Sequence, residues 1–198
     1  MKIPFKQSIK SYLLRILNPS IFKNIHTNDP QKVPFISSWE QFWQIIYILI
    51  SKDEPLILEI GAHYGKWSKN FIQLFKSPII YMFECDPRCL KIIKKEFSEF
   101  PKVEIINKAI ANKNGEIKFF QSSSKSKIWD MSGSINPYKG HRTTHPSCEF
   151  NPLNVEGITL DDWAKDKNIQ KIDLITIDII GAELEALNGG VSTFKKTK

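Results

Sequence analysis

The sequence predicts an α/β fold built on a parallel central sheet, and three observations predict it. Short runs of apolar, mostly β-branched residues at 56–60, 79–83 and 172–177 have the make-up of strands buried on both faces. Amphipathic helical stretches follow the first two runs, as in right-handed βαβ units. Polar residues close the runs, which gathers chemistry-bearing side chains at the end of the sheet where open α/β sheets bind ligands.

The elements follow in order. Residues 1–18 set Ile3, Phe5, Ile9, Leu13, Leu14 and Leu17 among Lys2, Lys6, Lys10 and Arg15, an amphipathic basic helix that ends at Asn18-Pro19. Pro19, Asn28-Asp29-Pro30 and Pro34 make 19–37 an irregular connector. Ser38 is expected to cap a helix from Trp39 to about Ser51, with Glu40 and Gln41 in its first turn. Residues 1–51 thus read as a helical arm and connector, and 52–198 as the main domain. Lys52-Asp53-Glu54-Pro55 is a turn into the first strand, 56–60, and Gly61-Ala62-His63-Tyr64-Gly65 is a tight turn out of it. A helix over 66–75 buries Trp67, Phe71, Ile72, Leu74 and Phe75. The second strand, 79–83, ends at Glu84; Asp86 caps the next helix, Pro87 suits its first position, and Pro101 stops it after about Phe100. A third strand covers 103–106, and Asn114-Gly115 marks a hairpin turn into 116–120. The Ser-, Gly- and Pro-rich stretch 121–157 is expected to be a long loop. Thr159-Leu160-Asp161-Asp162-Trp163 opens a short helix, 172–177 is a fourth strand ending at Asp178, Gly181 turns the chain, and 182–187 begins another helix.

Composition narrows the class. With 198 residues, 41% of them hydrophobic and 25% charged, the chain is neither a disordered segment, a collagen-like fibre nor a disulfide-dense mini-protein. The net charge of +7 favours acidic partners. The lysines are dispersed rather than set in a stripe with aromatics, so no nucleic-acid partner is expected. No apolar run approaches the ~20 residues of a spanning helix. The N-terminus lacks the order of a secretory leader. The basic arm leaves weak contact with a membrane surface open. Cys85, Cys89 and Cys148 are an odd, sparse set, which suits reduced thiols in a cytoplasmic protein.

The strand ends suggest a ligand. Glu59 and Gly61 end the first strand, Glu84 the second, Asn107 the third and Asp178 the fourth. Gly61 and Gly65 carry no Cβ and are expected to let the backbone pass close to a ligand, with free N–H groups of the following helix aimed at it. Glu84 lies 25 positions after Glu59 and could accept both hydrogen bonds of a ribose diol. The ligand is then a nucleoside cofactor, either a nicotinamide dinucleotide or S-adenosylmethionine. The second glycine of Gly-x-Gly-x-x-Gly is missing, which argues against a dinucleotide's phosphate cradle. S-adenosylmethionine needs no such cradle, and Glu59, Glu84 and Asp178 would suit its cationic groups.

These residues also resemble a family. Leu58-Glu59-Ile60-Gly61-Ala62-His63-Tyr64-Gly65 looks like motif I of the FkbM-type methyltransferases, and Phe83-Glu84-Cys85-Asp86-Pro87 resembles their Phe-Glu-x-Asp-Pro. Asn107-Lys108-Ala109-Ile110 with Asn114-Gly115 is similar to the third-strand signature. Thr159-Leu160-Asp161-Asp162-Trp163, then Ile177-Asp178-Ile179-Ile180-Gly181-Ala182-Glu183, resemble the Thr-Leu-Asp segment and the Ile-Asp-x-Glu-Gly-Ala-Glu signature. The resemblance spans about Pro55 to Gly190. It implies a Rossmann-like class I methyltransferase fold, S-adenosylmethionine as donor, and O-methylation of a sugar, glycan or secondary metabolite. Glu59, Gly61, Ala62, Tyr64, Gly65, Glu84, Cys85, Asn107, Ala109 and Asp178 would hold the cofactor. Two positions depart from the pattern: Thr176 stands where lysine is usual and Ile180 where glutamate is usual.

A sugar hydroxyl needs a base to take its proton, and Asp178 is the first expected candidate, Glu183 the second. The resemblance also implies further strands. A sheet that stopped at the fourth strand would leave an apolar edge, so the domain reads as incomplete at its C-terminal end, and a homodimer through that edge is one way to cover it. A catalytically weak remnant that binds a cofactor or a partner is the alternative. Trp129, Tyr138, His141 and Arg142 suit a lid over a glycan. His141, His145 and Cys148 lack a fourth ligand at a diagnostic spacing, so no metal is expected.

Overall fold

A computed structural model describes residues 39–124, 131–136 and 146–197, with the side chain of Glu40 left aside. The chain divides into two compact units, Met1–Ser51 and Lys52–Lys198. In the first, helix α1 (Trp39–Ile50) sets Trp39, Phe42 and Trp43 edge to face, with ring centroids 5.8 and 5.3 Å apart. The expected basic helix, the connector and the Ser38 cap lie outside the described residues.

The second unit is built on a four-stranded sheet. Strands β1 (Leu56–Ile60), β2 (Ile79–Phe83) and β3 (Val103–Ile106) alternate with helices α2 (Lys66–Leu74) and α3 (Pro87–Glu96). Strand β7 (Leu174–Ile177) returns on the far side of β1, giving the order β3-β2-β1-β7. Every pairing is parallel, with Ile60 level with Phe83 on one side and Ile177 on the other. This is the strand order of a doubly wound, Rossmann-like sheet, and its switch point lies between β1 and β7. The predicted strands form because Ile57, Leu58, Ile60, Ile80, Met82 and Phe83 are almost wholly buried. Leu58, Ile60 and Phe83 pack with Leu160, Trp163 and Ile172, and the Phe83 and Tyr81 rings meet Trp163 nearly edge-on at 5.0 and 4.9 Å. At the opposite end of the sheet, buried Asp173 accepts from the Leu56 N–H at 3.0 Å and pairs with Lys52 at 2.8 Å. That bond and the Ile172–Thr197 bridge leave the regular part of the fourth strand shorter than expected.

The stretch expected as one long loop is largely a hairpin. Strand β5 (Gly115–Ser124) pairs antiparallel with β6 (Cys148–Ile158) over its full length, and β6 pairs in parallel with the short β4 (Ala109–Ile110). Pro152 does not break β6. It stands opposite Phe120, whose N–H and C=O both bond to Ser134 instead, so that position asks no donor of its partner. Helix α4 (Leu160–Asp166) follows, capped by the Thr159 hydroxyl, which accepts from the Asp162 N–H. After β7 come α5 (Glu183–Asn188) and α6 (Val191–Lys195), the second of which the sequence reading did not contain.

Candidate active site

An open-mouthed cavity lies at the carboxyl ends of β1, β2 and β7, the end of an open α/β sheet at which ligands bind. Ile60 and Gly61 line it from β1, Phe83, Glu84 and Cys85 from β2, and Asp178, Ile179 and Ile180 from the loop after β7. Lys108 and Ala109 enter from the β3–β4 link, and Met131, Gly133, Ser134 and Ile135 from a strap beside the hairpin.

Glu84 organises the mouth. One carboxylate oxygen accepts from the N–H groups of Cys85 and Asp86 at 2.8 and 2.7 Å, at the entry to α3. The other accepts from the His63 N–H at 2.7 Å, in the bend after β1. One side chain therefore ties the glycine bend to the start of the next helix. Burial pushes its pKa up from the ordinary carboxylate value, and the three N–H groups pull it back. An ionised carboxylate offers roughly four acceptor positions. Three are taken by these N–H groups, which leaves one.

Glu59 is elsewhere. It lies within β1, level with Met82, and is buried beneath α2 rather than set in the cavity wall. One of its oxygens accepts from the Ser68 N–H at 3.1 Å and from the Ser68 hydroxyl; the other, Oε1, has no hydrogen-bond partner. The N-cap of α2 is Gly65, which has no side chain to offer, so Glu59 satisfies a first-turn N–H of α2 from the preceding strand. Burial pushes its pKa up to about 7, against the opposing pull of Ser68.

The two glycines are crowded by the protein itself. Both have positive φ, 84° and 68°. A Cβ on Gly61 would lie 2.1 Å from the Asp178 carbonyl oxygen, and one on Gly65 would lie 2.4 Å from the Phe97 ring. They make room for the protein's own β7 end and α3 flank, and Gly61 lines the cavity as well.

Of the expected site residues, Gly61, Glu84, Cys85, Ala109 and Asp178 are brought together around one cavity. Glu59, Ala62, Tyr64, Gly65, Asn107 and Glu183 are not in its wall; Asn107 is exposed and Glu183 opens α5. The sequence reading missed His63, Lys108 and the strap. His63 has φ 49° and stacks on Tyr64 at 3.8 Å, and Lys108 pairs with Glu156. Their place beside the quoted motifs was the available signal for the first two. The strap had none, since Ser134 is placed by its bridge to Phe120. Asp86 completes the frame. It caps α3, takes both Arg88 and the Gln121 amide (2.9 Å), while Arg88 reaches the Ser122 carbonyl at 3.0 Å, so the loop-side end of the hairpin is braced to the Glu84 loop. No group of metal-ligating side chains is present among the described residues. His141 and His145, and the lid residues Trp129, Tyr138 and Arg142, lie outside them.

Three comparisons bear on this arrangement. A solved structure of a putative caffeoyl-CoA O-methyltransferase from Staphylococcus aureus is 21% identical, covers 53% of this chain and 50% of its own, and has a TM-score of 0.30. The SAH-bound methyltransferase PaMTH1 of Podospora anserina is 16% identical over 54% of this chain and 50% of its own, with a TM-score of 0.29. Overlaps so slight support nothing further. The 2-O-methyltransferase NoeI of Sinorhizobium fredii is 35% identical over 156 residues, 77% of this chain and 64% of that protein, so the chain spans a little under two thirds of that relative's length. The profile of the methyltransferase FkbM domain matches residues 59–198, from the carboxylate beneath α2 through the whole strand-end cavity, and on that match the chain belongs to the FkbM methyltransferase family.

Proposed function

We propose that residues 52–198 form an S-adenosylmethionine-binding domain that transfers a methyl group to a hydroxyl of a sugar, glycan or secondary metabolite. The observation that carries this reading is the Glu84 carboxylate, fastened between the glycine bend and the α3 entry at the cavity mouth, with an acceptor position to spare. The cavity fits a nucleoside cofactor on that count, and on its wall of one strand-end carboxylate at β2 and another at β7. In this reading Gly61, Ala62, Tyr64 and Gly65 shape the bend, Glu59 holds it from below, and Cys85, Asn107 and Ala109 flank the adenosine.

The bound cofactor would supply a methyl group on a sulfonium, already an excellent leaving group. This chain's task is then alignment and proton removal. A carboxylate of the cavity wall would take the acceptor's hydroxyl proton while the site holds the acceptor oxygen in line with the methyl group that the cofactor would supply. Asp178 is the proposed base because it lines the cavity; Glu183, one helix start away, is the second choice. The three cysteines are free and buried, which suits a cytoplasmic site. No helix of the described residues is long and apolar enough to cross a membrane. A second copy pairing along β7, which has β1 as its neighbour among the described residues, and surface contact through the N-terminal arm belong to the same reading.

Calorimetric titration with S-adenosylmethionine, followed by methyl transfer from labelled cofactor to a glycan panel, tests it. Saturable binding and turnover on at least one hydroxyl acceptor are expected. Binding with no turnover on any acceptor would point to the remnant instead, and no binding would sink the assignment.

A further inference from the structure

The loop from Asp178 to Gly181 carries a backbone anomaly at the cavity wall. Ile180 has φ 47° and Gly181 φ 84°. The left-handed region is open to glycine and tolerable for asparagine, but for a β-branched side chain it is a true outlier. Such strain persists where the surroundings over-determine it, and it is a pointer to function. The surroundings do so here. The Asp178 N–H bonds to the Ile60 carbonyl at 2.9 Å, and the Asn136 side-chain amide donates to the Gly181 carbonyl at 3.2 Å.

Core packing does not repay the strain. Ile179 packs on the cluster around Leu58 and Trp163; Ile180 is not part of that cluster and is only half-buried. What Ile180 does is line the cavity, with Ile179, Met131 and Ile135, beside Asp178. Met131 is 61% exposed although it is a large apolar residue. Polar groups line the cavity too, among them Glu84, Asp86 and Lys108. Directly after Asp178, however, the chain offers the wall two consecutive isoleucines, so the surface next to the proposed base is apolar.

Resting on the methyltransferase reading, we propose that Ile180 is a specificity-determining residue, held in a left-handed conformation so that the acceptor must present an apolar face next to its reacting hydroxyl. A sugar with a hydrocarbon or aromatic substituent fits this wall better than a fully hydroxylated one.

The test uses the full chain loaded with S-adenosylhomocysteine, titrated with phenyl β-glucoside and with methyl β-glucoside. The wild type is expected to bind the phenyl compound about tenfold more tightly, the usual worth of a small apolar increment in a pocket. Ile180→Val keeps that preference. Ile180→Asn abolishes it, while its thermal midpoint rises by about 3 °C as the left-handed strain is relieved. Each variant is titrated at a saturating concentration of S-adenosylhomocysteine, so that only glucoside binding is compared. Equal affinities in the wild type, no binding of either glucoside, or a preference that survives in Ile180→Asn overturns the inference. If the wild type fails to bind S-adenosylhomocysteine, the methyltransferase reading falls, and this inference with it.

Discussion

Glu59 and Glu84 stand near the ends of neighbouring strands, and the chain uses them in opposite ways. Glu84 is one residue past β2; its own N–H still bonds to the Ile106 carbonyl, and all three bonds its carboxylate accepts come from loop backbone. Glu59 is one residue inside β1, where α2 covers it, and one of its oxygens faces no donor. A step of two residues along parallel strands separates a carboxyl held by loop backbone at the cavity wall from one buried beneath α2. Depth in the ladder, rather than residue type, decides the role.

The comparison can be broken in four ways. The largest effect is expected from Gly61→Ala, which drives a methyl into the Asp178 carbonyl and should cost about 4 kcal/mol in denaturant unfolding. A near-neutral result would mean that the two strand ends are not in close contact. Glu84→Gln replaces an acceptor by a donor facing backbone N–H groups. Cofactor affinity measured by calorimetry should fall about 100-fold, roughly 3 kcal/mol. If it stays unchanged, the ligand-facing half of the comparison fails.

The third is a pH profile. Between the ordinary carboxyl value of 4.5 and about 7, folded Glu59 holds a proton that the unfolded chain has released. Its contribution to stability is full below the lower value and is lost as pH climbs through the upper one. Thermal scans should show the wild type losing about 2 kcal/mol between pH 5 and pH 8, with Glu59→Gln flattening that slope. An unchanged slope would place the titration elsewhere. The smallest effect belongs to Ser68→Ala, which removes one hydroxyl donor to Glu59 and should cost about 1 kcal/mol, with cofactor affinity intact. A loss of affinity there would show that Glu59 reaches the ligand after all.

Much of this was legible in the sequence, for physical reasons. Strands buried on both faces must be continuously apolar, so β1, β2 and β7 announce themselves, and Asp86-Pro87 announces α3. Strand β6 does not. Its Cys-Glu-Phe-Asn-Pro-Leu-Asn run reads as loop because its order comes from β5, and Pro152 is excused only by the bond Phe120 makes to Ser134. The family motifs brought Glu84 and Asp178 to the site. They did not show that Glu59 lies beneath α2, because a one-dimensional motif records order along the chain and not depth within a ladder. The glycines were recognised for their freedom, but what crowds them, the Asp178 carbonyl and the Phe97 ring, comes from residues 117 and 32 positions away.

The brace of Asp86, Arg88, Gln121 and Ser122 carries a consequence for how this protein can change. It fixes the loop-side end of the hairpin to the α3 entry, and the strap comes back onto that same end through the bridge of Ser134 to Phe120. Residues 131–136 are therefore not free to drift: any replacement there must still bridge Phe120 and close the cavity wall.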